Sequence, residues 1–276
     1  MTNDDEDYLP DKKEPVRNRA PWLRLFIIPL IVYTAWIIEM FLLGGQARLF
    51  QSPTATGILA YTLTACILIG LVVPVMLLRR SFGLGDVNMH QIGFRPAWRT
   101  GPIVLVTLLV LLPVALLFNP FGTDGMAFLG AFLFLLPTAT ASVMVCFILI
   151  GTHIQALLRG GSALAAISAG VAVTSVLFGF TALVGFPVLP QQDTILFTLC
   201  TGVLIALFFF TIRDIYATVL LATVCLVFGM AGRISLSALE SALPAVAVAA
   251  LLSLLSLLGI HLYFTRKYAT IIVRAA

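Results

Sequence analysis

Long apolar runs separated by short polar ones dominate the chain. Eight stretches are each apolar for about 20 residues, the length a helix needs to cross the hydrocarbon core of a bilayer. They run at roughly 25–45, 56–78, 102–118, 126–150, 163–184, 194–212, 215–232 and 242–264. Apolar residues fill these windows instead of alternating with polar ones, so the strands of a membrane barrel do not fit. Many positions hold Val, Ile, Thr or Pro, which lipid tolerates in a helix because the backbone has no other partner there. The pattern predicts an all-α, polytopic transmembrane helical bundle of about eight spans.

Composition agrees. The 276 residues are 61% hydrophobic and 10% charged, with a mean hydropathy of +1.09. An average soluble domain is nearer half apolar and a quarter charged. So few charges do not cover a soluble fold of this size, which excludes a soluble enzyme, a secreted disulfide scaffold and a disordered protein. The bilayer is the expected solvent.

The net charge of +4 suggests nucleic-acid binding until the charges are placed. With a cytoplasmic N-terminus, 14 of the 16 Lys and Arg fall on the inside, leaving only Arg48 and Arg233 outside. The inverse orientation puts those 14 outside, against the positive-inside rule. A cell-membrane, multi-pass protein with both termini cytoplasmic is expected, and no nucleic-acid partner. The first 24 residues read as a disordered cytoplasmic tail, acidic and then basic. Residues 25–264 read as the membrane domain and 265–276 as a basic cytoplasmic tail. Twenty-four polar residues before the first run, and its length, argue for a retained anchor over a cleaved signal. The longest internal loop, RRSFGLGDVNMHQIGFRPAWRTG at 79–101, is basic and aromatic, as suits an interface.

Polar groups inside the windows are scarce. Six of the twelve acids lie in the tail, and only Glu39, in YTAWIIEMF, falls well inside a window. A carboxylate there is either a functional group or one hydrated close to the outer interface. His153 and His261 are expected near the cytoplasmic interface in structural roles. No two histidines share metal-binding spacing and no phosphate loop or nucleophile elbow is present, so no cofactor or metal is expected. Cys66, Cys146, Cys200 and Cys225 lie in four different windows and read as small packing residues. Ser162, Ala166, Gly170 and Thr174 form a small-residue stripe that allows close helix approach, which predicts a central place for the fifth span. Pro29, Pro74, Pro113 and Pro137 are expected to kink their helices.

Several strings resemble one family, the CPBP intramembrane peptidases, also known as CAAX-processing or Abi proteins. MHQIGFRPAWRTG resembles the entry to that family's third helix. ILIGTHIQALLRGG, SVLFGFTALVG and GVLIALFFFTIRDIYATVLLATVCLVFG resemble later segments in the same order, over about 79–232. The resemblance implies an eight-helix CPBP-like scaffold. In the family, chemistry rests on EExxxR, FxxxH and HxxxN motifs. Matching at Gly151 sets the two glutamates at Val145 and Cys146 and the arginine at Ile150. Phe178 keeps the phenylalanine of the second motif, and Ala182 stands for its histidine. Ala222 and Leu226 stand for the histidine and asparagine of the third. These replacements leave no general base and no set of donors for a developing oxyanion. Removing a whole buried polar network costs less than removing half of one.

The resemblance therefore implies a pseudopeptidase that binds or scaffolds another membrane protein or a lipidated peptide, with the lipid bilayer as its other partner. The alternatives are an active CAAX-type endopeptidase with displaced residues, and a small transporter or channel subunit. The orientation is testable: fluorescent-protein fusions after Ala276 should fluoresce inside the cell, and fusions after Gly122 should not.

Overall fold

The computed structural model describes residues 22–46, 49, 51–184 and 192–274, with the backbone alone at 45, 46, 182, 192–194 and 268–274. The expected N-terminal tail, Arg48 and most of the loop at 186–193 lie outside the described residues. Those described form helices and connections, with no strand among them.

Eight helices are long and apolar enough to cross a membrane. They are α1 (Leu23–Gly44), α2 (Ala55–Gly83), α3 (Ala97–Leu117), α4 (Gly125–Leu157), α5 (Ala163–Val184), α6 (Gln192–Ile212), α7 (Ile215–Met230) and α8 (Leu243–Arg274). Each falls on one of the eight windows. The chain is thus a multi-pass membrane protein by length and composition of its helices. Its surface agrees, because Leu105, Leu109, Leu112 and Leu116 stand exposed along α3.

Short polar residues start several helices. Asp124 Oδ1 accepts from the Met126 and Ala127 amides at 3.0 and 2.9 Å, opening α4. Asp214 Oδ1 accepts from the Ala217 amide at 3.0 Å, opening α7. The Thr54 and Ser162 hydroxyls do the same for α2 and α5. Each satisfies an amide that has no partner within its own helix.

Two expectations are corrected, the end of the fourth span and the helix at the centre. The fourth span does not end at 150: α4 runs to Leu157, about 50 Å at 1.5 Å per residue. His153 consequently lies within α4 and is buried inside the bundle. The helical backbone of α8 continues through the expected basic tail as far as Arg274. The central helix is α4, not the fifth span: 94% of the apolar stretch of α4 is buried, against 33% for α5. Every residue from Phe134 to Gln155 is buried, with α1, α2, α5, α7 and α8 packed around them. A helix apolar on all sides belongs in such a position.

The small-residue stripe serves a local purpose. Ala166, Gly170 and Thr174 are buried, and a Cβ at Gly170 would lie 3.0 Å from the Phe210 ring of α6. The closest approach of α5 and α6 is one turn further on, where a Cβ at Gly202 would lie 2.6 Å from the Ser175 carbonyl oxygen. Backbone cannot swing aside as a side chain does, so a substituent there forces the helices apart. Gly202→Leu should destabilise the purified protein by about 1–3 kcal/mol, read as a lower unfolding midpoint in detergent. Gly101→Leu, where a Cβ meets open space, should leave the midpoint unchanged.

Candidate functional site

The positions assigned by the resemblance lie in the bundle core. Val145, Cys146 and Ile150 lie on α4, Phe178 on α5, and Ala222 and Leu226 on α7. All six are buried and belong to one apolar cluster. The α4–α5 contact there is aromatic, with the Phe147 and Phe178 centroids 5.6 Å apart. The backbone of Ala182 continues α5, while its side chain lies outside the described set. Hydroxyls come closest to chemistry here. Tyr33 Oη donates to the Leu177 carbonyl at 2.7 Å and lies 3.3 Å from Thr181 Oγ1, which itself donates to the Leu177 carbonyl at 2.9 Å. Among the described residues, no three His, Cys, Asp or Glu gather to hold a metal.

Glu39 is half-buried on α1. It lies 15 residues from Arg24, about 22 Å along the helix. His153 is hydrogen-bonded near the Arg24 end, so the two groups that a displaced peptidase site would need are held apart.

The built polar structure is at that end, and sequence reasoning missed it. Arg24 of α1 forms an ion pair with Asp86 at 2.8 Å. Arg159, following α4, donates to the Gly85 and Asp86 carbonyls at 3.2 and 2.6 Å. The connection from α2 to α3 is thereby tied to the start of α1 and the end of α4. These bonds place the starts of odd helices and the ends of even ones together.

Ser81 and His153 are a buried pair, with Ser81 Oγ 2.8 Å from His153 Nε2. His153 Nδ1 lies 2.6 Å from the Leu149 carbonyl oxygen, which can only accept. The proton of a neutral ring is therefore on Nδ1, and the Ser81 hydroxyl donates to Nε2. A hydroxyl aimed at an imidazole acceptor is the first half of a nucleophilic pair. Here the ring is oriented by a backbone carbonyl, and both side chains are buried at 3% and 1% exposure. The pair fastens α2 to α4 and is shielded from any substrate.

Arg213 sits in the two-residue connection between α6 and α7. Its φ of 54° is left-handed, unusual for a residue with a side chain. The side chain is buried. It donates to the Gln91 carbonyl at 3.0 Å and to Gln155 Oε1 at 2.8 Å, and lies 4.9 Å over the Phe210 ring. Burial, with Arg95 nearby, pushes its pKa down to about 10, so it stays charged at neutral pH. Gly93 lets the chain pass close by: its φ is +80° and a Cβ there would lie 3.2 Å from the Arg213 carbonyl oxygen. Next to it, Asp214 is fully buried and its Oδ2 has no partner among the described residues. On α8, His261 Nδ1 lies 2.9 Å from Tyr216 Oη.

The sequence held one signal for this network. Arg213 and Asp214 are adjacent charges between two apolar runs with no spacer. Comparison with protein-family models, with curated proteins and with solved structures returned no match.

Arg213 separates two energies. Arg213→Ala loses its charge-assisted bonds, each of about 1.5–3 kcal/mol, and keeps the left-handed backbone. Arg213→Gly loses the same bonds and relieves a conformational cost of about 1 kcal/mol. Glycine should therefore be the milder substitution when denaturant midpoints of the two variants are compared.

Proposed function

We propose that this protein is a non-catalytic, eight-helix membrane protein on a CPBP-like scaffold, which binds or scaffolds a membrane protein or a lipidated peptide. One observation carries the reading. The side chains described at the positions where peptidase groups would stand are apolar, apart from the Cys146 thiol, and are close-packed in a single core around α4. A hydrolytic site needs a base, a water and donors facing the developing charge. Packing of this kind supplies none of them at those positions. The proposed setting is the cell membrane, with the arginine-rich end and both termini in the cytoplasm, as the positive-inside bias favours.

The remaining readings are weaker on specific grounds. An active endopeptidase with displaced groups requires Glu39 or His153 to reach a common cavity, yet His153 is bonded to Ser81 and Leu149 near the end of α1 opposite Glu39. A transporter or channel requires polar groups turned toward a path. The buried hydroxyls of Thr140, Ser142, Thr152, Thr174, Ser175, Thr218 and Thr223 instead donate to carbonyls one turn back in their own helices.

The experiment is direct. Purified protein in nanodiscs, incubated with a prenylated CAAX peptide, should release no product and should retain the peptide on size exclusion. Peptide cleavage that is abolished by Cys146→Ala or His153→Ala would overturn the proposal.

A further inference from the structure

One side of α1 faces away from the bundle. Trp36 and Met40 turn toward the core and are buried. On the opposite side Ile31, Ile38 and Leu42 are exposed. Thr34 and Ala35, in the middle of that face, are exposed as well. Being small, they let a second helix approach closely. The Thr34 hydroxyl is already bonded to the Leu30 carbonyl at 2.9 Å, so the face presents an essentially apolar surface.

Glu39 stands at the edge of this face. It follows Ala35 by four residues and precedes Leu42 by three, which sets it beside both on the helix surface. It is the one acid well inside an apolar window. Along α1 it lies about 22 Å from Arg24 and about 8 Å short of Gly44. In a hydrocarbon core about 30 Å thick it therefore falls in the half away from the arginine-rich end. Arg24 of the same helix has Asp86, and Tyr33 has the Leu177 carbonyl. Among the described residues, none hydrogen-bonds or ion-pairs with Glu39. A carboxylate at that depth is costly unless a cation or a donor meets it.

We infer that this face of α1 docks a transmembrane helix of a partner protein that carries a Lys or Arg at the depth of Glu39. The inference rests on the binding role proposed above, and it names the partner's chemistry and the surface that meets it. Ile31, Ile38 and Leu42 pack against the partner helix. Ala35 sets the close approach, and Glu39 pairs with the partner's cation. Each charge offsets the other's cost of lying in hydrocarbon, so the two helices are better placed together than apart. An all-apolar helix would gain the packing alone, and the preference for a basic helix comes from Glu39.

The test uses the full chain in lipid vesicles, labelled with a donor fluorophore, and synthetic leucine–alanine helices of about 20 residues labelled with an acceptor. One helix carries Lys about five residues from one end, to match the depth of Glu39, and the other has Leu there. Energy transfer should show the Lys helix associating about tenfold more tightly than the Leu helix. Glu39→Gln should bring the two helices level. Ala35→Phe, at an exposed position outside the core, should weaken association of the Lys helix. Equal association of both helices with the wild type, as a Glu39 met by water or by Arg48 would give, overturns the inference. A Lys preference that survives Glu39→Gln, or association of the Lys helix undiminished by Ala35→Phe, overturns it too. No CAAX peptide is involved, so failure here leaves the proposed function standing, and cleavage of such a peptide would overturn that function without changing the helix preference.

Discussion

A backbone or side-chain polar group carried into hydrocarbon has no water to bond, and this constraint organises the whole molecule. Helices satisfy the backbone. Most buried hydroxyls within them are satisfied in the simplest way, by a carbonyl one turn earlier, so Thr174 bonds to Gly170 and Thr223 to Val219, while Ser253 has no partner among the described residues. A few cross between helices, such as Tyr33 to Leu177 and Tyr61 to Thr138. The core can then be apolar on every side of α4 with little left unpaired.

Charged groups face the same constraint and meet it differently. Most of the described arginines are gathered at one end, where main-chain carbonyls of the connections serve as acceptors. Arg159 uses Gly85 and Asp86, and Arg213 uses Gln91. The longest internal connection thus becomes a hub, holding α1, α4 and the α6–α7 turn in register. Packing in the bilayer and hydrogen bonding at its edge divide the work: one sets how close the helices come, the other sets which end is which.

The eight spans were legible because a crossing helix must be about 20 apolar residues long, whatever surrounds it. Their arrangement was harder to read. Small residues at 166, 170 and 174 identify a close contact, but a close contact with one neighbour is compatible with a peripheral helix. The burial of α4 comes from its all-round apolar surface, which lipid-facing helices share, so no pattern separates them. His153 falls in the roughly two turns by which α4 continues past the apolar window, carried by Thr152, Gln155 and contacts with Ser81 and Arg213. The arginine network left almost no trace in the sequence, since its acceptors are largely carbonyls that every residue possesses. Only the Arg213–Asp214 pair was distinctive. The resemblance to intramembrane peptidases directed attention to Val145, Cys146 and Ile150, which the fold places in an apolar interior where the Tyr33 and Thr181 hydroxyls are bonded to a backbone carbonyl.

The position of α4 also bears on how the chain is made. Its neighbours come from before it in the sequence, α1 and α2, and from after it, α5, α7 and α8. When α4 leaves the ribosome, three of its five neighbouring helices have not been synthesised. During that interval its exposed face rests against lipid or the insertion machinery, which its uniformly apolar surface permits. The native enclosure of α4 is complete only after α8 has entered the membrane, so a chain truncated before residue 243 is left with a bundle open on the side of α4 that α8 covers.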